Sequence, residues 1–176
     1  TGSYKDGISS KNGLIITGST TIKVKAADDG LRGKDYLVVE SGTLTVEAGG
    51  DALTSSEGDD ETKGFISLGK ASITLTSTDD AISATTDVTV KDTTLTITAG
   101  GGQANATVEE QAPPGQESTA ESTTPSPKGI NAGVSYTQDS GTVTVNAADE
   151  GLQAPFINVA GGELSIAAGD DGINAS

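Results

Sequence analysis

Seven in-phase copies of one short phrase, three bursts of period-two alternation per unit and no helical period predict an all-β chain. The predicted architecture is a right-handed parallel β-helix (a solenoid) of about 22 residues and three short strands per coil, with six to seven coils. The phrase is an acid, then Gly or Ala, then Ile or Leu. It begins at Asp6, Asp29, Asp51, Asp80, Lys128, Glu150 and Asp171. Regular steps are 23, 22, 22 and 21 residues, and the longer steps of 29 and 48 contain insertions at 56–63 and 102–127.

The first unit alternates through Ile8 and Ser10, then Leu14 and Ile16, then Ile22, Val24 and Ala26. In the second the same phases fall on Leu31 and Gly33, Leu37 and Val39, then Leu44, Val46 and Ala48. The fourth gives Ile82 and Ala84, Val88 and Val90, then Leu95, Ile97 and Ala99. Alternation with a period of two is a strand with one buried face, and the abundance of β-branched residues argues against helix. Turn signals separate the second burst from the third at Gly18, Ser41-Gly42, Gly69, Asp92, Ser140-Gly141 and Gly161-Gly162.

One continuous domain is expected, with coils over 1–101 and 128–176. An acidic corner loop at 56–63 and a low-complexity, mobile insertion at 102–127 leave it. Asn105 opens a glycosylation sequon, a short pattern that a solvated loop carries by chance. With no Met and no signal peptide, the chain reads as a piece of something longer; the lack of Cys removes any disulfide framework. No apolar run is long enough for a transmembrane helix, and a net charge of −15 excludes nucleic acid as partner.

Stacking turns the repeated acid into a column. Adjacent strands lie ~4.8 Å apart. Two carboxylates at that spacing repel by roughly 1 kcal/mol in water and about 3.5 kcal/mol at an effective dielectric of 20. The acids are also doubled, by Asp28, Asp79, Asp149 and Asp170. A hard divalent cation with oxygen ligands resolves the conflict, and without His or Cys the expected metal is calcium, several ions of it. Its expected ligands are Asp28, Asp29 and Asp51, then Asp79 and Asp80, then Asp149, Glu150, Asp170 and Asp171, with Asp6 in the same column. Asp35 and Asp87, a few residues on and placed at the same corner, are additional candidates. The alternative is that each Asp serves a turn by accepting a backbone hydrogen bond.

The units DGISSKNGLIITG, DDGLRGKDYLVVESGTLTVEAGGDAL and DDAISATTDVTVKDTTLTITAGGG resemble the carbohydrate-binding domain of clostridial-type cell-surface proteins. The likeness is close over 4–102 and looser over 128–176, and the serial order, with a low-complexity insert after GGG, is more specific than any one motif. The resemblance implies a pectate-lyase-like fold, calcium on the repeated aspartates, and binding of cellulose or acidic pectic polymers at the cell surface or in the extracellular matrix. Three departures from the family pattern stand out: the N-terminal region that the resemblance leads one to expect before Thr1 is missing from this sequence, Lys128 replaces an acid, and Glu150 replaces an aspartate. No metal is expected at Lys128.

The expected function is non-catalytic, calcium-dependent binding of acidic polysaccharide by a secreted or surface protein. Lys11, Lys23, Lys25, Arg32 and Lys34 in the first two coils are candidates to pair with an anionic chain. The aromatics Tyr4, Tyr36, Phe65, Tyr136 and Phe156 are expected to form no column for sugar stacking. Other readings are end-to-end stacking into a fibre, a calcium-dependent lyase using Arg32 or Lys34 as base, and ice binding by the threonine columns.

Overall fold

A computed structural model of the chain describes residues 5–106 and 126–176. The first unit contributes β1 (Ile8–Ser10), β2 (Gly13–Ile16) and β3 (Thr21–Lys25). The second gives β4 (Leu31–Gly33) and β5 (Tyr36–Ala48), and the third gives β6 (Leu53–Ser55) and β7 (Phe65–Ser77). Then follow β8 (Ile82–Ala84), β9 (Asp87–Val90) and β10 (Thr93–Ala99). Beyond a short 3-10 turn at Gln103–Asn105 come β11 (Ile130–Ala132), β12 (Ser135–Gln138) and β13 (Gly141–Ala147). The last are β14 (Leu152–Gln153), β15 (Phe156–Val159), β16 (Glu163–Ala168) and β17 (Ile173–Asn174).

The expectation of a right-handed parallel β-helix with three separate faces is corrected by the pairing of these strands. They form two parallel sheets. The first runs β1-β4-β6-β8-β11-β14-β17; the second runs β15-β12-β9-β7-β10-β13-β16, with β2, β3 and β5 joined to it. The second sheet curls into a half-barrel because β5 and β7 are 13-residue strands that pass straight through the expected turns. Their ladder continues across that place, pairing Ser41 with Lys70 and Gly42 with Ala71. Gly42 bends the strand with a φ of 110° but does not end it. The insertion expected at 102–127 falls mostly outside the described residues.

Inside, the alternation becomes columns. Leu31, Leu53, Ile82, Ile130 and Leu152 stack in the first sheet, all fully buried. Leu44, Ile73, Leu95 and Val143 stack in the second, with Val46, Leu75, Ile97 and Val145 beside them. Burying one such side chain contributes about 1.5–3 kcal/mol, repeated at every level. A polar pair interrupts the columns: Tyr136 Oη donates to Gln138 Oε1 at 2.9 Å, and Gln138 Nε2 donates to the Glu163 carbonyl at 3.1 Å. Both side chains are buried, and burial pushes the Tyr136 phenol above its ordinary range. Among the described residues no helix is long and apolar enough to cross a membrane.

Candidate functional site

The repeated acids stand where the chain enters the first sheet, and the sheet's own hydrogen bonds hold them in line. Gly7 N–H donates to the Asp29 carbonyl, Gly30 to Asp51, Ala52 to Asp80, Ala81 to Lys128, Gly129 to Glu150 and Gly151 to Asp171. These bonds, 2.8 to 3.1 Å long, place Asp6, Asp29, Asp51, Asp80, Lys128, Glu150 and Asp171 in one column.

A second ladder of side chains runs beside it. Asp29 Oδ1 accepts from Asp51 N–H at 3.0 Å, Asp51 Oδ1 from Asp80 N–H at 3.1 Å, and Asp80 Oδ1 from Lys128 N–H at 2.8 Å. Each carboxylate thus caps the backbone one level on with a single oxygen, so at Asp29 and Asp51 the turn role and a metal role are not exclusive. The second oxygen of Asp80 accepts from Asn131 Nδ2 at 3.0 Å; those of Asp29 and Asp51 take no hydrogen bond among the described residues.

Burial raises the Asp51 carboxyl to about 7, helped by the charges of Asp80, Asp29 and Asp79. Burial also raises Asp29, against the hydrogen bond from Asp51, with Asp28 and Asp6 adding repulsion. Asp80 is raised by burial too, opposed by the donors Lys128 and Asn131. This is the electrostatic conflict that the repeat implies.

Asp28 and Asp29 converge over Gly50, which, like Lys5 and Pro127, stands where other levels carry a preceding acid. A Cβ there would stand 2.7 Å from Asp29 Oδ1 and 3.1 Å from Asp28 Oδ1. The absent side chain leaves a cradle lined by two carboxylates, with Asp51 next in the chain. Oxygen-only donors around such a gap fit a hard cation such as calcium. Among the described residues no three acids close into a complete metal cluster, so a cation here would draw further oxygens from water or a bound ligand.

The upper column is different. Lys128 Nζ lies 2.7 Å from Glu150 Oε2 and 3.3 Å from Asp149 Oδ2, and donates to Ser126 Oγ at 2.6 Å. Ser126 Oγ donates to Asp149 in turn, and Asn174 Nδ2 donates to Glu150 Oε1 at 3.0 Å. Burial acts against the Lys128 ammonium, yet Glu150 and then Asp149 outweigh it and hold its pKa above the usual lysine value. Burial would raise Asp149; the hydrogen bond from Ser126, then the hydrogen bond and charge of Lys128, keep it below the ordinary range. Asp170 and Asp171 are exposed at the last level.

Other expected site residues are placed apart. Asp35 and Asp87 sit at the opposite end of the short first-sheet strands: Lys63 reaches Asp35 at 3.4 Å, and Ser135 Oγ donates to Asp87 at 2.6 Å. The five basic candidates spread over different faces. Lys25 pairs with Glu47 at 2.6 Å and Lys34 with Glu57 at 2.8 Å; Arg32 donates to Ser56 Oγ at 3.0 Å. Lys11 and Lys23 are exposed. Among the described aromatics there is one stacked pair and no longer column. Tyr36 and Phe65 occupy successive levels and stack at 5.6 Å and 14°, with the Tyr36 ring lying over Gly13.

A groove of about 740 Å³ runs along the corner between the second sheet and the acid column. Ala26, Ala48 and Ser77 line it, with Gly49 and Thr78 immediately before the pairs Gly50-Asp51 and Asp79-Asp80. Gly100, Gly101, Asn105 and Pro127 contribute further lining, while Lys25, Glu47, Thr76 and Asp149 supply polar atoms. The chain turns outward there through Gly100, Gly101 and Gly102, whose φ values of 60°, 80° and 84° suit glycine.

A family of carbohydrate-binding domain-containing proteins matches residues 1–172. The chain belongs to that family. Its description is one of carbohydrate binding. No curated protein and no solved structure matches the chain. Sequence reasoning passed over Gly50 and the amides Asn131 and Asn174, although the shared INA of the units at Lys128 and Asp171 marked both amides.

Proposed function

We propose that the protein binds acidic polysaccharide at a cell surface or in an extracellular matrix, through calcium held at the lower acid column. The observation that carries this reading is the Gly50 cradle, with two carboxylates, those of Asp28 and Asp29, over it and the groove-lining Gly49 next to it in the chain. Calcium takes ~6–8 oxygens, more than two or three carboxylates supply. A uronate carboxylate lying in the groove would complete the shell and be neutralised in the same contact. A small-residue floor at Ala26, Ala48 and Gly49 leaves room for sugar rings, and the volume lies within the ~300–1,000 Å³ of ligand sites.

Calcium and polymer should therefore bind cooperatively, each raising the other's affinity by the same factor. Calorimetric titration of calcium with and without polygalacturonate tests this. Tighter calcium binding in the presence of the polymer is expected; polymer binding unchanged by a chelator would refute the bridging mechanism. Thr76→Trp, at an exposed position lining the groove, should weaken polymer binding at least several-fold and leave the melting temperature unchanged.

A further inference from the structure

We infer that the Lys128 ammonium is the resident cation of the upper acid column and takes the place of a divalent ion at Asp149 and Glu150. Lys128 occupies an acid's position in the register: Ala81 N–H donates to its carbonyl just as Ala52 N–H donates to that of Asp80. Its side chain runs along the column to the next level, where the ammonium meets Glu150 at 2.7 Å, Asp149 at 3.3 Å and Ser126 Oγ at 2.6 Å. Ser126 Oγ and Asp149 Oδ2 accept hydrogen bonds from the ammonium, while Glu150 Oε2, buried and without a hydrogen-bond donor aimed at it, is met by its charge alone.

Calcium does not fit at this level. The carboxylate oxygens Asp149 Oδ2 and Glu150 Oε2, which a divalent ion would need, already face Lys128, and both Lys128 and Glu150 are largely withdrawn from water. A divalent ion would bring two further positive charges against the ammonium. The remaining Glu150 oxygen accepts from Asn174, and Ser126 donates to Asp149. The upper levels are therefore set without metal, and any calcium response is confined to the lower ones. Only this contrast rests on the calcium reading; the resident-cation role stands on the Lys128 contacts alone.

Ion stoichiometry measured by calorimetry and terbium luminescence tests the inference on the intact chain. In the wild type, Asp149→Asn with Glu150→Gln should leave the number of bound ions unchanged. Lys128→Asp restores the acid and should gain about one ion per chain. It should also melt below the wild type in chelator and recover on adding calcium. Loss of an ion from the wild type on removing the two carboxylates would overturn the inference, as would a folded Lys128→Asp that gains none. Should Lys128→Asp fail to fold, Lys128→Met frees the same carboxylates and is decided by the same count. If the wild type binds no calcium while a Lys128 variant acquires a site, the calcium reading fails and this one stands.

Discussion

Asp29, Asp51 and Asp80 share their register with Lys128 and Glu150, yet the two halves of the column meet the same difficulty differently. In the lower half, stacked carboxylates cap the next backbone N–H and remain in conflict, so that burial and neighbours lift Asp51 to about 7. In the upper half a lysine replaces one acid and neutralises the two beside it. One substitution in the repeat exchanges a level of stacked carboxylates for one that contains its own cation.

The largest effect should come from breaking the upper half. Lys128→Met leaves Glu150 and Asp149 facing each other, largely shielded from solvent, without a counter-charge. Removing one partner of a buried pair costs about 3–5 kcal/mol, and this pair, not wholly enclosed, should fall near the lower end. Denaturant unfolding in chelator measures it. Asp51→Asn should act in the opposite direction. Asparagine keeps an oxygen for the Asp80 N–H and removes a charge from among three others, so the variant should gain about 1 kcal/mol in chelator. It should also lose the rise in melting temperature on adding calcium. Stabilisation of both variants, or of neither, would erase the distinction between the halves.

Acid separates them next. Asp51 has its carboxyl raised to about 7 in the folded chain against 3.8 unfolded, so between those values the native state holds a proton that the unfolded chain releases. In chelator, stability should therefore increase as pH falls from above 7 toward 4, with Asp29 and Asp80 acting in the same sense. Asp149 is lowered, so its contribution is present above its unfolded value of 3.8 and is lost as pH falls below it. Melting curves from pH 8 to 3 should rise and then fall; calcium should flatten the rising limb only.

Much of this was legible in the repeat. Strand alternation with a constant period fixes which residues face inward, so the stacking of Leu31 on Leu53 on Ile82 follows from spacing alone. Tyr136 shares the phase of Val88 and Tyr36 that of Phe65; phase, not residue type, marks the first as core and the second pair as stacked. Sheet number was not legible, because Gly42 can end a strand or bend it, and only the continued ladder to Ala71 shows which. The fate of Asp149 and Glu150 was equally hidden. It depends on the direction of one long side chain toward residues more than twenty positions away, which no local pattern encodes.

The finest test lies at Gly50. Its added Cβ would meet the far ends of two flexible side chains and, at 3.3 Å, the Asp28 carbonyl carbon; Gly50 is not among the residues with positive φ, so Gly50→Ala needs only a shift of a few tenths of an ångström in the backbone. Asp29 Oδ1 must move, weakening its hydrogen bond to Asp51 N–H, a loss of about 0.5–1 kcal/mol in chelator. Reduced flexibility of the unfolded chain offsets part of it. The variant should thus fold almost as well as the wild type while its calcium affinity drops about tenfold, because the methyl group occupies the space between Asp28 and Asp29. An alanine variant with unaltered calcium affinity would move the ion away from this level, to Asp79 and Asp80. The lower half would then resemble the upper in a further respect: the acids at its Asp29 level would serve the backbone alone.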